Sequence, residues 1–514
     1  MSEALLLIVI VGAVGITAIA RSKGIQAGLV IVLIAGAISF IPGLERLELE
    51  PELILSLVMP PLLYSAALNF SFFSFLRNLR PIVGLGLGLV LVTAAAVTGI
   101  TAWLLPGIGV AGALVLAATV SPPDTVTTVT HGKELGLSKK VIAILTGESL
   151  VNDATALALF AFAVSLAAGT ETIIENPFWL LVYGVIVGLV IGIALSGLAA
   201  FVRRRIANPT LETVVGLLLP FTAFLAAEQV HASGVIAVVI AGFSMSMNMT
   251  YDQRSRSTAS HLTRVQERNL WPVVDLLLES FVFAYIGLQL RFVIEDLIET
   301  HRDITVTILV GLLVLVIVMV VRVVFVFLVF GRTALAAKAR ERRIASDPRF
   351  RAFTALGRRR RAQRGRPPRR PPIVLDWKER LLVGWTGMRG IVTLAAAGAV
   401  PAVTATGEDF PGRAQIQFIA FVVAIGTLVI QGITLPLLAR SLRVDTAAED
   451  AEAEADLEEA LAAAVGPTPE AQRQSLAQAV GGRTVTDEAA REVIHRIDLR
   501  QAADEAERGE SPAH

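Results

Sequence analysis

The feature that most constrains this sequence is a series of apolar runs, each about as long as a bilayer is thick, that repeats nearly to residue 440. A helix of about 20 apolar residues crosses a membrane. Of the 514 residues, 54% are hydrophobic and 17% are charged, fewer charges than the roughly 25% of soluble domains. We therefore predict an all-α polytopic membrane protein with about thirteen transmembrane helices, near residues 4–20, 25–41, 53–70, 81–105, 108–130, 139–168, 178–202, 210–230, 233–250, 270–290, 304–330, 380–401 and 414–439.

The orientation in the membrane is predicted from lysine and arginine. These residues concentrate in the odd-numbered loops, for example at Lys139, Lys140 and Arg203–Arg205, while the even-numbered loops are acidic or mixed. Because basic loops stay in the cytosol, we expect a multi-pass protein of the cell (inner) membrane with its N-terminus outside and its C-terminus cytosolic. No basic residue precedes the first apolar run, so we expect a retained span rather than a cleaved signal peptide.

Two segments are predicted to lie outside the bilayer. Residues 331–379 form a basic cytosolic loop inserted in a transmembrane domain, 1–440, and their stretch RRRRAQRGRPPRR is expected to contact anionic lipids. The loop has no interleaved aromatic residues, so nucleic acid is not an expected partner. Residues 441–514 are expected to form a cytosolic helical tail, with Thr486 as the N-cap of its last helix. The sequence leaves open whether this tail is regulatory or merely solvated.

Span six contains the stretch GESLVNDATALALF, which combines a membrane-spanning pattern with two carboxylates. Glu148 and Asn152 are four residues apart, as are Ser149 and Asp153, so the four side chains share one helix face. A charged side chain near the bilayer centre costs roughly 2.5–3.5 kcal/mol on insertion scales. Polar groups can also serve only to hold helices together, but two acids on one face favour a functional site.

Span five contains TVSPPDTVTTVT, residues 119–130. Pro122 and Pro123 remove two backbone donors and disfavour helix at the preceding residue. We expect the helix to break there and to leave free carbonyls beside Asp124, which is tolerated where protein or a water-filled cavity covers the break. A simple proline kink is the alternative, and it leaves Asp124 unexplained.

Span twelve begins LLVGWTGMRGIVTLAAAG, in which Gly384, Gly387 and Gly390 allow close packing or unwinding of the backbone around Arg389. Glu148 and Arg389 each lie nine residues from the basic cytosolic end of their span, which places both roughly 13 Å deep. We therefore predict a structural ion pair between them. Asp153 is then left without a partner, which makes it the better candidate for binding a cation.

The two broken spans are separated by seven positions, so they run in opposite directions. Two discontinuous helices in antiparallel halves are typical of inverted-repeat transporters with a site near the midplane. We therefore expect two inverted six-helix repeats, spans one to six and eight to thirteen, whose two discontinuous helices cross.

Other polar residues give weaker signals. Glu228 and His231 lie at the join of spans eight and nine, where packing and a place at a cavity mouth are both open. Asp275 and Glu279 are four residues apart on span ten and could line a vestibule. Arg322, near the cytosolic end of span eleven, is expected to snorkel towards the interface.

These motifs resemble the cation:proton antiporter-1 family, the bacterial sodium/proton antiporters of the NhaP and NHE type. GESLVNDATALALF is similar to that family's GESLLNDGTAIVLF, VSPPDTV to ATDPVAV or SPPDAVA, and GMRGIVTLAAA to GLRGAISLALA. The likeness covers about residues 5–440. It implies a homodimeric transporter, not an enzyme, that exchanges one monovalent cation for one proton without a metal cofactor. Sodium is the first expectation, and lithium and potassium are the alternatives.

The resemblance also implies roles for individual residues. Asp153 corresponds to the carboxylate that binds the ion or the proton, with Asn152 as its positioning partner, and Asp124 and Ser149 would complete the ion shell. Oxygen ligands from Asp153, Asp124 and Ser149 suit a hard alkali cation. The chain departs from the family where Pro123 replaces a threonine.

A second departure is Ser65, which stands where archaeal members have a glutamate near the site. Two rival functions remain in view. An intramembrane aspartyl protease would use Asp124 and Asp153 as a dyad, which leaves Asn152 and Arg389 unexplained. An uncoupled cation channel could use the same fold.

Overall fold

The computed structural model describes residues 3–22, 27–44, 46, 56–125, 132, 135–169, 177–206, 208–251, 259–299, 303–347, 349, 374–444, 446–482 and 484–508. Within these ranges the protein is helical apart from its connections and two isolated antiparallel bridges. The first nine helices are α1 (Glu3–Ser22), α2 (Ala27–Ser39), α3 (Met59–Asn69), α4 (Phe72–Arg77), α5 (Leu79–Leu104, π-helical at Gly84–Leu89), α6 (Gly109–Val120), α7 (Lys139–Ala168), α8 (Pro177–Arg203) and α9 (Pro209–Gln229). The others are α10 (Gly234–Tyr251), α11 (Ala259–Glu299), α12 (Ile304–Ser346), α13 (Trp377–Trp385), α14 (Ile391–Gly398), α15 (Arg413–Leu442), α16 (Ala447–Ala463), α17 (Pro469–Gly481) and α18 (Asp487–Glu507).

The predicted fold class is confirmed. Seven of the described helices are long and apolar enough to cross a membrane, and shorter apolar helices occupy further predicted spans. Each of the thirteen predicted spans contains helix, and the interruptions fall in spans five and twelve, where inverted repeats require them. Span five is helical as α6 up to Val120, and span twelve consists of α13 and α14.

Two helices extend beyond the predicted spans. α11 has 41 residues and α12 has 43, against predicted spans of 270–290 and 304–330. The extension of α12 makes the first part of segment 331–379 helical, because apolar and alanine-rich sequence continues past the predicted end. The basic stretch that was expected to contact anionic lipids lies outside the described residues.

The membrane helices pack in two groups. α1–α3 and α8–α11 form the first helix group and supply most of the largest hydrophobic core. α5–α7 and α12–α15 form the second helix group, around two further cores. α7, α14 and α15 contact both groups, so the second half of the broken span twelve lies where the two groups meet.

The tail consists of α16, α17 and α18, which share a hydrophobic core of their own. The last helix begins one residue after Thr486, as predicted, although the Thr486 side chain makes no capping hydrogen bond. Ala490, Val493 and Ile497 are buried on one side of α18, so this helix is amphipathic.

Candidate ion-binding site

The interrupted parts of spans five and twelve contact each other. The backbone N–H of Asp124 donates to the carbonyl of Met388 over 2.6 Å, in an antiparallel bridge between the two non-helical stretches. This is the helix break predicted from Pro122 and Pro123 rather than a simple kink, since α6 ends at Val120. Residues 126–130, the rest of the predicted span, lie outside the described part of the chain.

Gly390 lies directly against the Asp124 carboxylate. A Cβ atom at this position would overlap Oδ2 of Asp124, so a side chain there would displace the carboxylate. Gly390 therefore lets an acidic side chain reach into the crossing.

Arg389 stabilises the crossing through backbone carbonyls. Its Nε donates to the carbonyl of Val120 over 3.0 Å, and its Nη1 donates to the carbonyl of Gly387. Its own backbone N–H donates to Thr427 Oγ1 over 2.9 Å, and the side chain is fully buried. The last carbonyls of a helix lack intrahelical partners and carry partial negative charge. Arg389 therefore compensates the C-terminal end of α6.

Asn152 and Thr125 attach the break in span five to α7. Asn152 Nδ2 donates to the carbonyl of Pro123 over 2.7 Å, and Thr125 Oγ1 donates to the carbonyl of Leu145 over 2.9 Å. The amide of Asn152 thus pairs one carbonyl that is left free by the helix break. Its own Oδ1 is buried and has no hydrogen-bond partner in the described residues.

Asp153 lies one position further along α7 and is 6% exposed. Within the described residues no basic side chain is at ion-pair distance from it. The charged groups that act on its carboxylate are Asp124 and Glu148, both acidic. Ser149, 8% exposed, is four residues away on the same helix. The structure therefore brings together Asp153, Asn152, Ser149 and Asp124 around the crossing.

The predicted ion pair between Glu148 and Arg389 is wrong. Glu148 is paired instead with Arg322 of α12, through Nη1–Oε1 and Nη2–Oε2 distances of 2.5 and 3.1 Å. Both side chains have no exposed surface. Arg389 lies close enough to act on Glu148 electrostatically, but its described hydrogen bonds go to carbonyls.

The geometry around Gly387 explains the exchange of partners. A Cβ atom at Gly387 would overlap the Cδ and Nε atoms of Arg322, so the absent side chain leaves the path that the guanidinium follows to Glu148. Because α12 continues to Ser346, Arg322 also lies near the middle of its helix. The prediction that Arg322 snorkels to the interface is therefore wrong.

The weaker sequence signals have structural partners. Glu228 Oε1 accepts from the backbone N–H of Gly234 at 3.3 Å, which supports a packing role at the join of α9 and α10. Asp275 Oδ2 accepts from Ser65 Oγ at 2.7 Å. Glu279 lies one turn further along α11.

A second buried ion pair was missed by sequence reasoning. Arg203 of α8 donates to Glu267 of α11, and both side chains are buried. Gly216 of α9 makes room for the pair, since a Cβ there would overlap both partners. Arg203 sits at the basic end of a span, where an anchoring role explained it already.

The donor set indicates which ions the site can hold. Carboxylate, hydroxyl and carbonyl oxygens suit hard cations, whereas thiolate and imidazole ligands suit transition metals. The described residues contain no group of three histidine, cysteine, aspartate or glutamate side chains that could hold a metal ion, and the sequence has no cysteine. One buried carboxylate beside further oxygen donors can take up either a proton or an alkali cation.

Comparisons with known proteins show which family the chain belongs to. The profile of a family described as "Sodium/hydrogen exchanger, transmembrane" matches residues 5–441. An uncharacterised Na+/H+ exchanger of Mycobacterium tuberculosis is 30% identical over 421 residues, which are 81% of this chain and 70% of that protein. A low-affinity Na+/H+ antiporter of Synechocystis is 27% identical over 80% of this chain and 69% of its own length.

Another relative is a sodium, potassium, lithium and rubidium/H+ antiporter of Bacillus pumilus, 27% identical over 80% of this chain and 57% of that protein. Among solved structures, a sodium proton antiporter of Methanocaldococcus jannaschii has a TM-score of 0.59 and 16% identity, and the match covers 86% of this chain and 98% of that one. At this identity the structural match shows a shared fold.

Proposed function

The chain belongs to the sodium/hydrogen exchanger family, and we propose that it exchanges a monovalent cation for a proton at Asp153. The observation that carries this proposal is the contrast between two acids on one helix face. Glu148 has a bidentate arginine partner, whereas Asp153 is buried next to acidic groups and has no basic partner in the described residues. An intramembrane acid without a counter-charge marks a site for an ion or a proton.

In this mechanism Asp153 holds a proton or a partly dehydrated cation, but not both. Asp124, Ser149 and carbonyl oxygens of the span-five break would complete the cation shell, and Asn152 positions that break through Pro123. Presentation of the same carboxylate to each side in turn couples the two fluxes, because each occupant must leave before the other can bind. The two helix groups that meet at the crossing provide the elements whose relative movement would change access.

The proposed substrates are sodium first, then lithium and potassium, each against a proton in a one-to-one, electroneutral exchange. We place the protein in the cell membrane with its N-terminus outside, its C-terminus cytosolic and a homodimer as the assembly. The printed name of the Bacillus pumilus relative includes sodium, potassium and lithium, which supports the choice of these three cations as candidate substrates.

Reconstitution into liposomes tests the proposal. Vesicles that are acidic inside and contain a pH-sensitive dye should become less acidic when sodium, lithium or potassium is added outside. Asp153→Asn should abolish this response in a protein that elutes normally from a sizing column. Asp409→Asn, which makes the same change in an exposed loop, is the matched control and should keep the wild-type rate.

The same vesicles separate exchange from a channel. In an electroneutral exchanger, uptake of labelled sodium depends on protons inside and is not accelerated by a negative internal potential. Sodium uptake that proceeds without proton movement would establish the uncoupled channel instead.

A further inference from the structure

The tail, α16–α18, lies against both helix groups of the membrane domain. It begins where the match to the exchanger family ends, at residue 441. Its helices are held together by a core that includes Ala460, Leu476 and Ile494. A unit with its own core can transmit a contact made at one end to a contact made at the other.

The contact with the first helix group is made by α18. Arg264 of α11 donates from Nε and Nη2 to the two oxygens of Asp498, each over 2.6 Å. Asp498 is 2% exposed, so this bidentate pair is shielded from water. Arg491 Nη1 also donates to the carbonyl of Leu68, near the end of α3, over 3.2 Å.

The contact with the second helix group is made by α16. Glu449 Oε1 lies 3.0 Å from Lys140 Nζ, and its Oε2 accepts from the backbone N–H of Lys139 at 2.9 Å. The carboxylate therefore caps the N-terminus of α7, where negative charge is favourable. α7 is the helix that carries Asp153.

The charges across this surface are sorted by sign. Each described ion pair of a lysine or arginine between the membrane domain and the tail has its basic group on the membrane domain and its acid on the tail: Lys140–Glu449, Arg264–Asp498 and Arg268–Glu492. His261 Nε2 also lies at hydrogen-bond distance, 3.1 Å, from Glu505 Oε2 of the tail. Opposite signs on facing surfaces favour one docked arrangement over others. The basic rim of the membrane domain thus fits the acidic tail of the same chain.

We propose that the tail is a clamp that joins the two helix groups and slows exchange while it is docked. The proposal rests on the exchange function given above, because it assigns the clamp an effect on the rate. Alternating access requires one helix group to move against the other. A tail bound to α7 on one side and to α11 on the other opposes that movement, and its release permits it.

Release of the clamp is tested with Glu449→Lys, which opposes Lys140, and with Arg264→Gln, which removes the bidentate donor. Each variant should exchange sodium for protons about fivefold faster than wild type. This is the factor by which the loss of one ion pair between the tail and the membrane domain shifts the equilibrium between the docked and released tail. Hydrogen exchange of residues 487–507 should rise in Arg264→Gln. Glu470→Gln is the control, since that exposed acid pairs with Arg473 within α17.

Closure of the clamp is tested by cross-linking, which the absence of native cysteine makes specific. Lys140→Cys with Glu449→Cys, joined by a cleavable bis-methanethiosulfonate, should slow exchange about tenfold and recover on reduction, as expected if the undocked state is required. If wild type is active and neither the two release variants nor the cross-link changes the exchange rate, the clamp is wrong while the exchange function stands. A wild-type chain that exchanges none of the three cations contradicts the exchange function, and the clamp with it.

Discussion

Glu148 and Arg322 form a bidentate ion pair in which neither side chain has any exposed surface, and the pair links α7 to α12 within the second helix group. Removing both charges together can be nearly neutral, whereas removing one leaves the other buried and uncompensated. The pair therefore fixes α7, and with it the neighbouring Asp153, against the rest of its group.

Removal of one partner should destabilise the protein strongly. We expect Glu148→Gln and Arg322→Gln each to lower the free energy of unfolding by roughly 3–5 kcal/mol, which is measured as a lower Tm in detergent. The double variant should lose less than the sum of the two. Additive losses would show that the two charges do not interact, and Arg389→Gln in the same cycle with Glu148→Gln identifies the alternative partner.

Gly387 offers an independent test of the same pair. Gly387→Ala places a methyl group where the Arg322 side chain passes. We expect a Tm decrease similar to that of Arg322→Gln, and little further decrease when the two changes are combined. Gly99→Ala, at a position with open space around it, is the matched control and should leave the Tm near that of wild type.

Arg389 should act differently from Arg322, because its described partners are carbonyls. Arg389→Lys keeps the positive charge but cannot donate to Val120 and Gly387 from one planar group. We expect this variant to retain most of its thermal stability and to lose exchange activity, since the crossing is no longer held in place. Wild-type exchange rates in Arg389→Lys would show that a positive charge alone is sufficient there.

Hydropathy and residue spacing were enough to predict most of the fold and the acidic face of α7. The number of spans follows from the apolar runs, and the breaks follow from Pro122, Pro123 and the glycines around Arg389. These features are local, since proline and glycine act on the backbone where they stand.

The partner of Glu148 could not be obtained in the same way. Residue counting gives only the depth of a side chain in the membrane. Depth alone cannot decide between Arg322 and Arg389 as the partner of Glu148. The partner of Glu148 is determined by the free carbonyls near Arg389 and by the space that Gly387 leaves for the Arg322 side chain. Both features exist only after the helices have packed. The pair of Arg203 and Glu267 was missed for a related reason, since a basic residue at a span end already had an explanation.

Docking of the tail should depend on pH through His495. Burial lowers the pKa of His495 below its ordinary value, and the nearby Arg268 lowers it further, against the opposing effects of Glu492 and Asp498. The docked state therefore favours the neutral imidazole. The contribution of His495 to the stability of the docked state is fully present above the ordinary histidine pKa of about 6.5. This contribution is lost as the pH falls through the lower pKa that His495 has in the docked state.

We therefore expect hydrogen exchange of residues 487–507, corrected for intrinsic rates, to rise as the pH is lowered from about 7 to 5. His495→Gln should reduce this rise. Burial raises the pKa of Asp487, so its contribution to docking changes with pH in the opposite direction. Asp487 is present in both wild type and His495→Gln, so its contribution cancels when the two are compared. An identical pH dependence in wild type and His495→Gln would remove His495 as a sensor.

The charge balance of transport gives the last prediction. One carboxylate that holds either one cation or one proton moves no net charge in a cycle, and the neighbouring Asn152 has no titrating group that would change this count. A membrane potential acts on a moved charge with about 2.3 kcal/mol per 100 mV, so it would shift an electrogenic cycle strongly. We expect the sodium and proton gradients at which flux stops to be independent of a potential set with valinomycin and potassium. If the protein exchanges potassium, a tetraphenylphosphonium gradient replaces that pair. A balance point that moves with voltage would mean that a second acid, such as Asp124 or Glu279, also carries protons, and would exclude the one-site mechanism.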